Sequence, residues 1–131
     1  MIVLDTSAMV EFLVGSDSAA EQVRTLLSGE IIAAPHAIDL ECAAALRGLV
    51  NGKKLPEGEG EHALALLTRM DIRRYDHGPL LPRIWALRGN MWPYDAAYVA
   101  LAELLEVELI TLDRKFSATP RVQCRIRTIA R

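Results

Sequence analysis

Four carboxylates stand where carboxylates are costly. Asp5 follows the apolar run Ile2-Val3-Leu4 and precedes Thr6 and Ser7, and Asp113 closes the run Glu108-Leu109-Ile110-Thr111-Leu112. Glu41 sits between Leu40 and Cys42-Ala43-Ala44-Ala45, and Asp95 between Tyr94 and Ala96-Ala97. Each has an ordinary role when taken alone. Asp5 suits a surface turn, and an acid in the first turn of a helix, as Asp95 would be, complements the helix dipole. Glu41 could reach solvent or turn toward Arg47. Asp39, two residues before Glu41, is a competing acid that points to a different helix face.

Together they have a chemistry. Two unit charges ~4 Å apart repel by about 4 kcal/mol at an effective dielectric of about 20. A domain is stable by only about 5–15 kcal/mol, so such a cluster needs a cation or stays partly protonated. Oxygen donors without imidazole select a hard divalent ion, Mg²⁺ or Mn²⁺. The three histidines, His36, His62 and His77, show no zinc spacing. Small hydroxyls at Thr6, Ser7 and Thr111 are suited to orient the carboxylates by hydrogen bonds. Asp5, Glu41, Asp95 and Asp113 are therefore the candidate metal-binding and catalytic residues.

Positioning them requires alternating strands and helices. Residues 2–4 read as a buried strand. Residues 7–14 and 17–28 carry helical spacing, with a break at Gly15-Ser16-Asp17 where Ser16 or Asp17 can cap the second helix. "EIIAAP" is a second strand, and "HAIDLECAAALRGLVNG" a helix stopped by Asn51-Gly52. "KKLPEGEG" reads as a polar turn, "EHALALLTRM" as a helix and "DIRRY" as a strand. Pro79 and Pro82 open another helix that Gly89-Asn90 ends. "PYDAAYVALAELLE" is the clearest helix, with Pro93 where proline is tolerated. "VELITLD" and "RVQCRIRTI" read as the last strands. This alternation predicts an α/β fold with a parallel sheet between helices. Ligands of such sheets bind at the carboxyl ends of the strands, where Asp5 and Asp113 would emerge side by side if their strands are neighbours.

Composition sets the frame. The chain has 131 residues, 51% apolar and 24% charged, which suits one globular domain over residues 1–131. No apolar run is long enough for a membrane span, and no basic-then-apolar leader opens the chain, so a cytoplasmic protein without membrane contact is expected. Cys42 and Cys124 read as small core hydrophobes rather than a disulfide. The net charge of −2 hides an asymmetry: Arg114, Lys115, Arg121, Arg125, Arg127 and Arg131 face no acid between 114 and 131. Residues 1–68 hold ten acids and four bases. A basic end beside an acidic body suits a polyanion, with Arg88 a further contributor, although an ordinary solvated surface reads the same way.

The segments "VLDTSAMV", "PHAIDLECAAALR", "WPYDAAYVALAELL" and "LITLDRKF", in that order, resemble a PIN-domain ribonuclease, most closely the VapC-type toxins of toxin–antitoxin pairs. The resemblance covers nearly the whole chain. It implies an α/β/α sandwich around a parallel sheet of about five strands, and an acidic pocket of Asp5, Glu41, Asp95 and Asp113. Within that pocket Asp5 and Asp95 match the family's metal-binding pair, and Asp113 with Arg114 and Phe116 resembles its final motif. A Mg²⁺- or Mn²⁺-dependent endoribonuclease is implied, with an RNA substrate, a cognate VapB-type antitoxin and a homodimeric assembly. Apolar residues around Met9, Val10, Phe12 and Leu13, and around Leu46, Leu49 and Val50, are candidates for an antitoxin groove unless they are core.

Three other readings compete. "LDTSA" faintly resembles an aspartyl-phosphate phosphatase, but Ser7 stands where a second aspartate is needed. A receiver domain needs a nucleophilic aspartate ending a middle strand, and "EIIAAP" has none. A catalytically inactive PIN-like module binding RNA or protein is the third, and the presence of all four acids argues against it.

Overall fold

The computed structural model describes residues 1–131. Its sheet has five parallel strands: β1 (Ile2–Leu4), β2 (Ile32–Pro35), β3 (Ile72–Tyr75), β4 (Glu108–Thr111) and β5 (Ile126–Thr128). They lie in the order β3-β2-β1-β4-β5, so the first strand is central. Val3 pairs with Ala33 on one side and Leu109 on the other. Strands 1 to 3 are laid down in one direction across the sheet and strands 4 and 5 in the other. Strand order therefore reverses between β1 and β4, where a parallel sheet opens a crevice at its carboxyl edge.

Seven helices flank the sheet: α1 (Thr6–Val14), α2 (Ser18–Leu27), α3 (Ala37–Asn51), α4 (Glu57–Arg69), α5 (Leu81–Ala86), α6 (Pro93–Leu105) and α7 (Lys115–Ala118). Helices α1 to α4 pack on one another, whereas α6 lies across β1, β2 and β4 with α5 against it. Every residue from Ala96 to Ala102 is buried, so α6 is enclosed on all sides and its alanines let it lie close to the strands. The main core joins the strands to α6 and includes Met9, Ile38, Cys42, Tyr98 and Phe116.

Local chemistry sets the boundaries. Asp17 caps α2 by accepting from the Ala20 N–H at 3.1 Å. Gly52 ends α3, and the Ala37 N–H at its start donates to His77 Nε2 at 3.0 Å. Cys42 is buried and Cys124 half-buried, both free, and burial pushes the Cys42 thiol up to about 12.

Three expectations need correction. Helix α4 starts at Glu57, inside the stretch read as a polar turn, with Pro56 before it and Glu57 and Glu59 in its first turn. The last strand covers only Ile126–Thr128 of the nine-residue run "RVQCRIRTI", because only those three residues stand in register opposite β4. The basic segment is also not one free face. Arg127 pairs with Glu108 at 3.1 Å and Arg131 with Glu11 at 3.1 Å. Arg125 precedes β5, at the sheet edge opposite the one where Arg114 and Lys115 follow β4.

Candidate active site

Asp5 leaves β1 at its carboxyl end and at once becomes the N-cap of α1. Its Oδ1 accepts from the Ala8 N–H at 3.0 Å and from Ser7 Oγ at 2.7 Å, and its Oδ2 accepts from Thr111 Oγ1 at the end of β4. The carboxylate is only 4% exposed. Burial raises its pKa from 3.8 to about 6, against the lowering effect of the Thr111, Ala8 and Ser7 hydrogen bonds, and the nearby Asp113 charge adds to the rise. Oδ1 is fully used by two donors. Oδ2 keeps one lone pair for a further partner.

The same hydroxyls tie in Asp113. The Asp113 N–H donates to Thr111 Oγ1 at 2.9 Å, and the Leu112 N–H donates to Ser7 Oγ at 2.9 Å. Asp113 Oδ1 accepts from the Lys115 N–H at 2.9 Å, turning the chain into α7. Adjacent parallel strands thus bring Asp5 and Asp113 to one edge, joined through Thr111 and Ser7.

Helices α3 and α6 supply the other two acids. Glu41 Oε1 accepts from Tyr98 Oη at 2.7 Å and from Thr6 Oγ1 at 3.2 Å. Asp95 occupies the first turn of α6 and is half-buried. Desolvation raises its pKa, the charges of Asp113 and Glu41 raise it further, and Lys115 opposes them. No hydrogen bond is among the causes of that shift. The four carboxylates therefore share one field, with Lys115 the cation acting against it at Asp95. Asp39 lies elsewhere, in a two-pronged pair with Arg74 at 2.8 Å per bond.

Tyr98 is the residue that the sequence alone did not single out. It is 1% exposed, bonds both Glu41 and Thr6, and is one helical turn beyond Asp95. Its signal was the Asp95-x-x-Tyr98 spacing, which places both side chains on one helix face.

In donor type and charge the pocket fits a hard divalent cation: oxygen only, mutually repelling, with a buried carboxylate holding a lone pair in reserve. It is not a closed cage, because no group of three or more Asp, Glu, His or Cys side chains stands in metal-ligating arrangement. Magnesium suits such a site, since it keeps several waters and takes one or two carboxylates.

Comparison with known proteins gives the family and the fold. The PIN-domain family profile matches residues 2–122. Ribonuclease VapC9 of Mycobacterium tuberculosis is 39% identical over 131 residues, covering 100% of both chains. Two solved structures share the fold. VapC20 of Mycobacterium tuberculosis, described as a Sarcin-Ricin loop cleaving toxin, superposes with a TM-score of 0.68 at 16% identity over 90% of this chain and 94% of its own. VapBC2 of Rickettsia felis, bound to a DNA fragment from its promoter, superposes with a TM-score of 0.69 at 16% identity over 98% of each chain.

Proposed function

The chain belongs to the PIN-domain family, close to the VapC-type ribonucleases, and from that premise we propose that Asp5, Glu41, Asp95 and Asp113 form its RNA-cleaving centre. At the level of its family it is a toxin-type endoribonuclease, a hydrolase whose family works with a divalent metal. We assign that metal as Mg²⁺ or Mn²⁺. The observation that carries the reading is the junction of β1 and β4, where Thr111 and Ser7 hold Asp5 beside Asp113 while Asp95 feels the charges of Asp113 and Glu41.

When bound, the ion would polarise the scissile phosphate and lower the pKa of an attacking water. Asp5, through Oδ2, and Asp95 would hold it. Ser7, Thr111 and the Ala8 N–H fix the Asp5 carboxylate before any ligand arrives, so little reorganisation is left for binding. Tyr98 and Thr6 orient Glu41, whose charge, with that of Asp113, would help to balance the cation. Lys115 is exposed beside Asp95 and suits a flanking phosphate.

The test is RNA cleavage by purified protein, alone, with chelator and with Mg²⁺ or Mn²⁺ added back. Cleavage should vanish in chelator, return with metal, and be absent in Asp5→Asn and Asp95→Asn. Persistence in excess chelator would defeat the assignment.

An antitoxin partner is part of the same proposal, supported by the shared fold with VapBC2. Met9 and Leu46 are core, whereas Val10, Phe12, Leu13, Leu49 and Val50 are half-buried, leaving a shallow apolar surface along α1 and α3. A partner helix could lie there while a basic side chain enters the carboxylate pocket. Self-association is proposed as well, since Leu40 and Leu81 rim an apolar cleft with Ile84 and Pro93 beside the site. No helix is long and apolar enough to cross a membrane.

A further inference from the structure

Glu11 is a buried charge outside the four-carboxylate centre. It lies on α1, is 5% exposed, and pairs through Oε2 with Nη2 of Arg131 at 3.1 Å. Its Oε1 turns back over Gly15, where an added Cβ would come within 2.8 Å of it. Burial raises the Glu11 pKa, a hydrogen bond with Asp17 adds to the rise, and the Arg131 charge opposes both. A carboxylate taken out of water needs its partner, so losing that partner disturbs more than breaking an exposed ion pair does. Arg131 is exposed, and the anchor is Glu11.

The segment that carries Arg131 passes the candidate active site. Just beyond β5 the Ile129 N–H donates to the Thr111 carbonyl oxygen at 2.8 Å, and the Ile129 side chain joins the core. Two residues later the chain reaches Glu11. Thr111 is thus held twice, by Ile129 at its carbonyl and by Asp5 and Ser7 at its hydroxyl. Ser7 and Glu11 share one face of α1, about 6 Å apart along its axis. The contacts close a ring, from Thr111 through Ile129, Arg131 and Glu11 to Ser7 and back to Thr111. Thr6, Ser7, Glu11 and Arg131 also line one cleft. At its site end α1 is tied to β4 by hydroxyls alone, and a reactive constellation tolerates only about 0.5 Å of drift.

We propose that Arg131 and Glu11 are positioning residues for the carboxylate centre: their ion pair holds α1 against β4, and so keeps Ser7 and Thr111 on Asp5. The inference rests on the reading of Asp5 as a metal-holding acid. It gives the segment after β5 a part in that site. Neither residue touches metal or RNA, and each acts through Ser7 and Thr111.

The test compares the full chain with Arg131→Met, which keeps an apolar stem without charge, Arg131→Lys, which keeps the charge, and Glu11→Gln. In chelator, hydrogen exchange read by NMR compares the Ala8 N–H, a donor to Asp5, with the Ala37 N–H at the start of α3. Arg131→Met and Glu11→Gln should speed Ala8 exchange about tenfold and leave Ala37 unchanged, because the opening is local. Arg131→Lys should match the wild type. Mg²⁺ affinity, measured by calorimetry without RNA, should fall about tenfold in the same two variants and hold in Arg131→Lys. Unchanged Ala8 exchange overturns the proposal. So does equal acceleration at both amides, which leaves the pair a general stabilising role, and so does an undiminished Mg²⁺ affinity. The ribonuclease reading fails separately, if wild-type protein does not cleave RNA with Mg²⁺.

Discussion

Asp5 carries the most burden of any single residue, because one carboxylate caps a helix, links two strands and faces the pocket. Its pKa of about 6 in the folded chain, against an ordinary 3.8, fixes the sign of a pH effect. Between those values the folded state keeps the proton that the unfolded chain has lost, so stability of the metal-free protein falls as pH rises. The fall starts near 3.8, levels above about 6 and reaches at most about 3 kcal/mol. The raised Asp95 acts in the same direction. Urea titrations in chelator across this range should show the decline. Asp5→Asn should flatten it, because asparagine keeps the cap without the charge. Above pH 6, Mg²⁺ should restore stability, growing with the logarithm of its concentration once that exceeds the Kd. A stability that climbs over that range would mean that Asp5 is not desolvated. Tyr98→Phe tests the orientation of Glu41: removal of one hydroxyl from a buried position should cut cleavage about 10- to 100-fold with the fold intact. Activity equal to wild type would leave Tyr98 with a packing role only.

At the scale of elements, the corner between α1 and α2 is the tightest join that bears on the site. A Cβ on Gly15 would lie 2.5 Å from the Glu11 carbonyl oxygen and 2.9 Å from the Ala20 Cβ. Gly15→Ala should therefore cost about 1–3 kcal/mol in chemical denaturation, since neither backbone nor a small rigid side chain can move aside. A neutral result would show that the corner relaxes. Strand ends were legible in the sequence because an aspartate that closes an apolar run marks where the buried backbone reaches the edge of the sheet. That β1 and β4 are neighbours was not, since pairing Leu4 with Ile110 is a property of the sheet and not of either segment. Tyr98 was hidden among alanines, where an aromatic reads as core filling. The start of α4 was masked by Gly58 and Gly60, which suggested a turn, although Pro56 with Glu57 and Glu59 are start signals. The alternating bases of the last strand suggested one cationic face. Nothing local reveals that Glu108 and Glu11 lie opposite two of them.

For the whole molecule, the exposed Leu40 and Leu81, at 78% and 55%, mark the face where a second copy would sit. Light scattering should give a dimer, and Leu40→Glu combined with Leu81→Glu should give a folded monomer. A wild-type monomer at working concentrations removes that proposal. The central place of β1 has a consequence for how the protein is made. The neighbour that supplies Thr111 to β1 stands more than a hundred residues later in the sequence. Until that strand emerges, Asp5 lacks its Thr111 hydrogen bond and Asp113 does not yet exist. The proposed cleaving centre is therefore completed in one late step, when β4 docks beside β1.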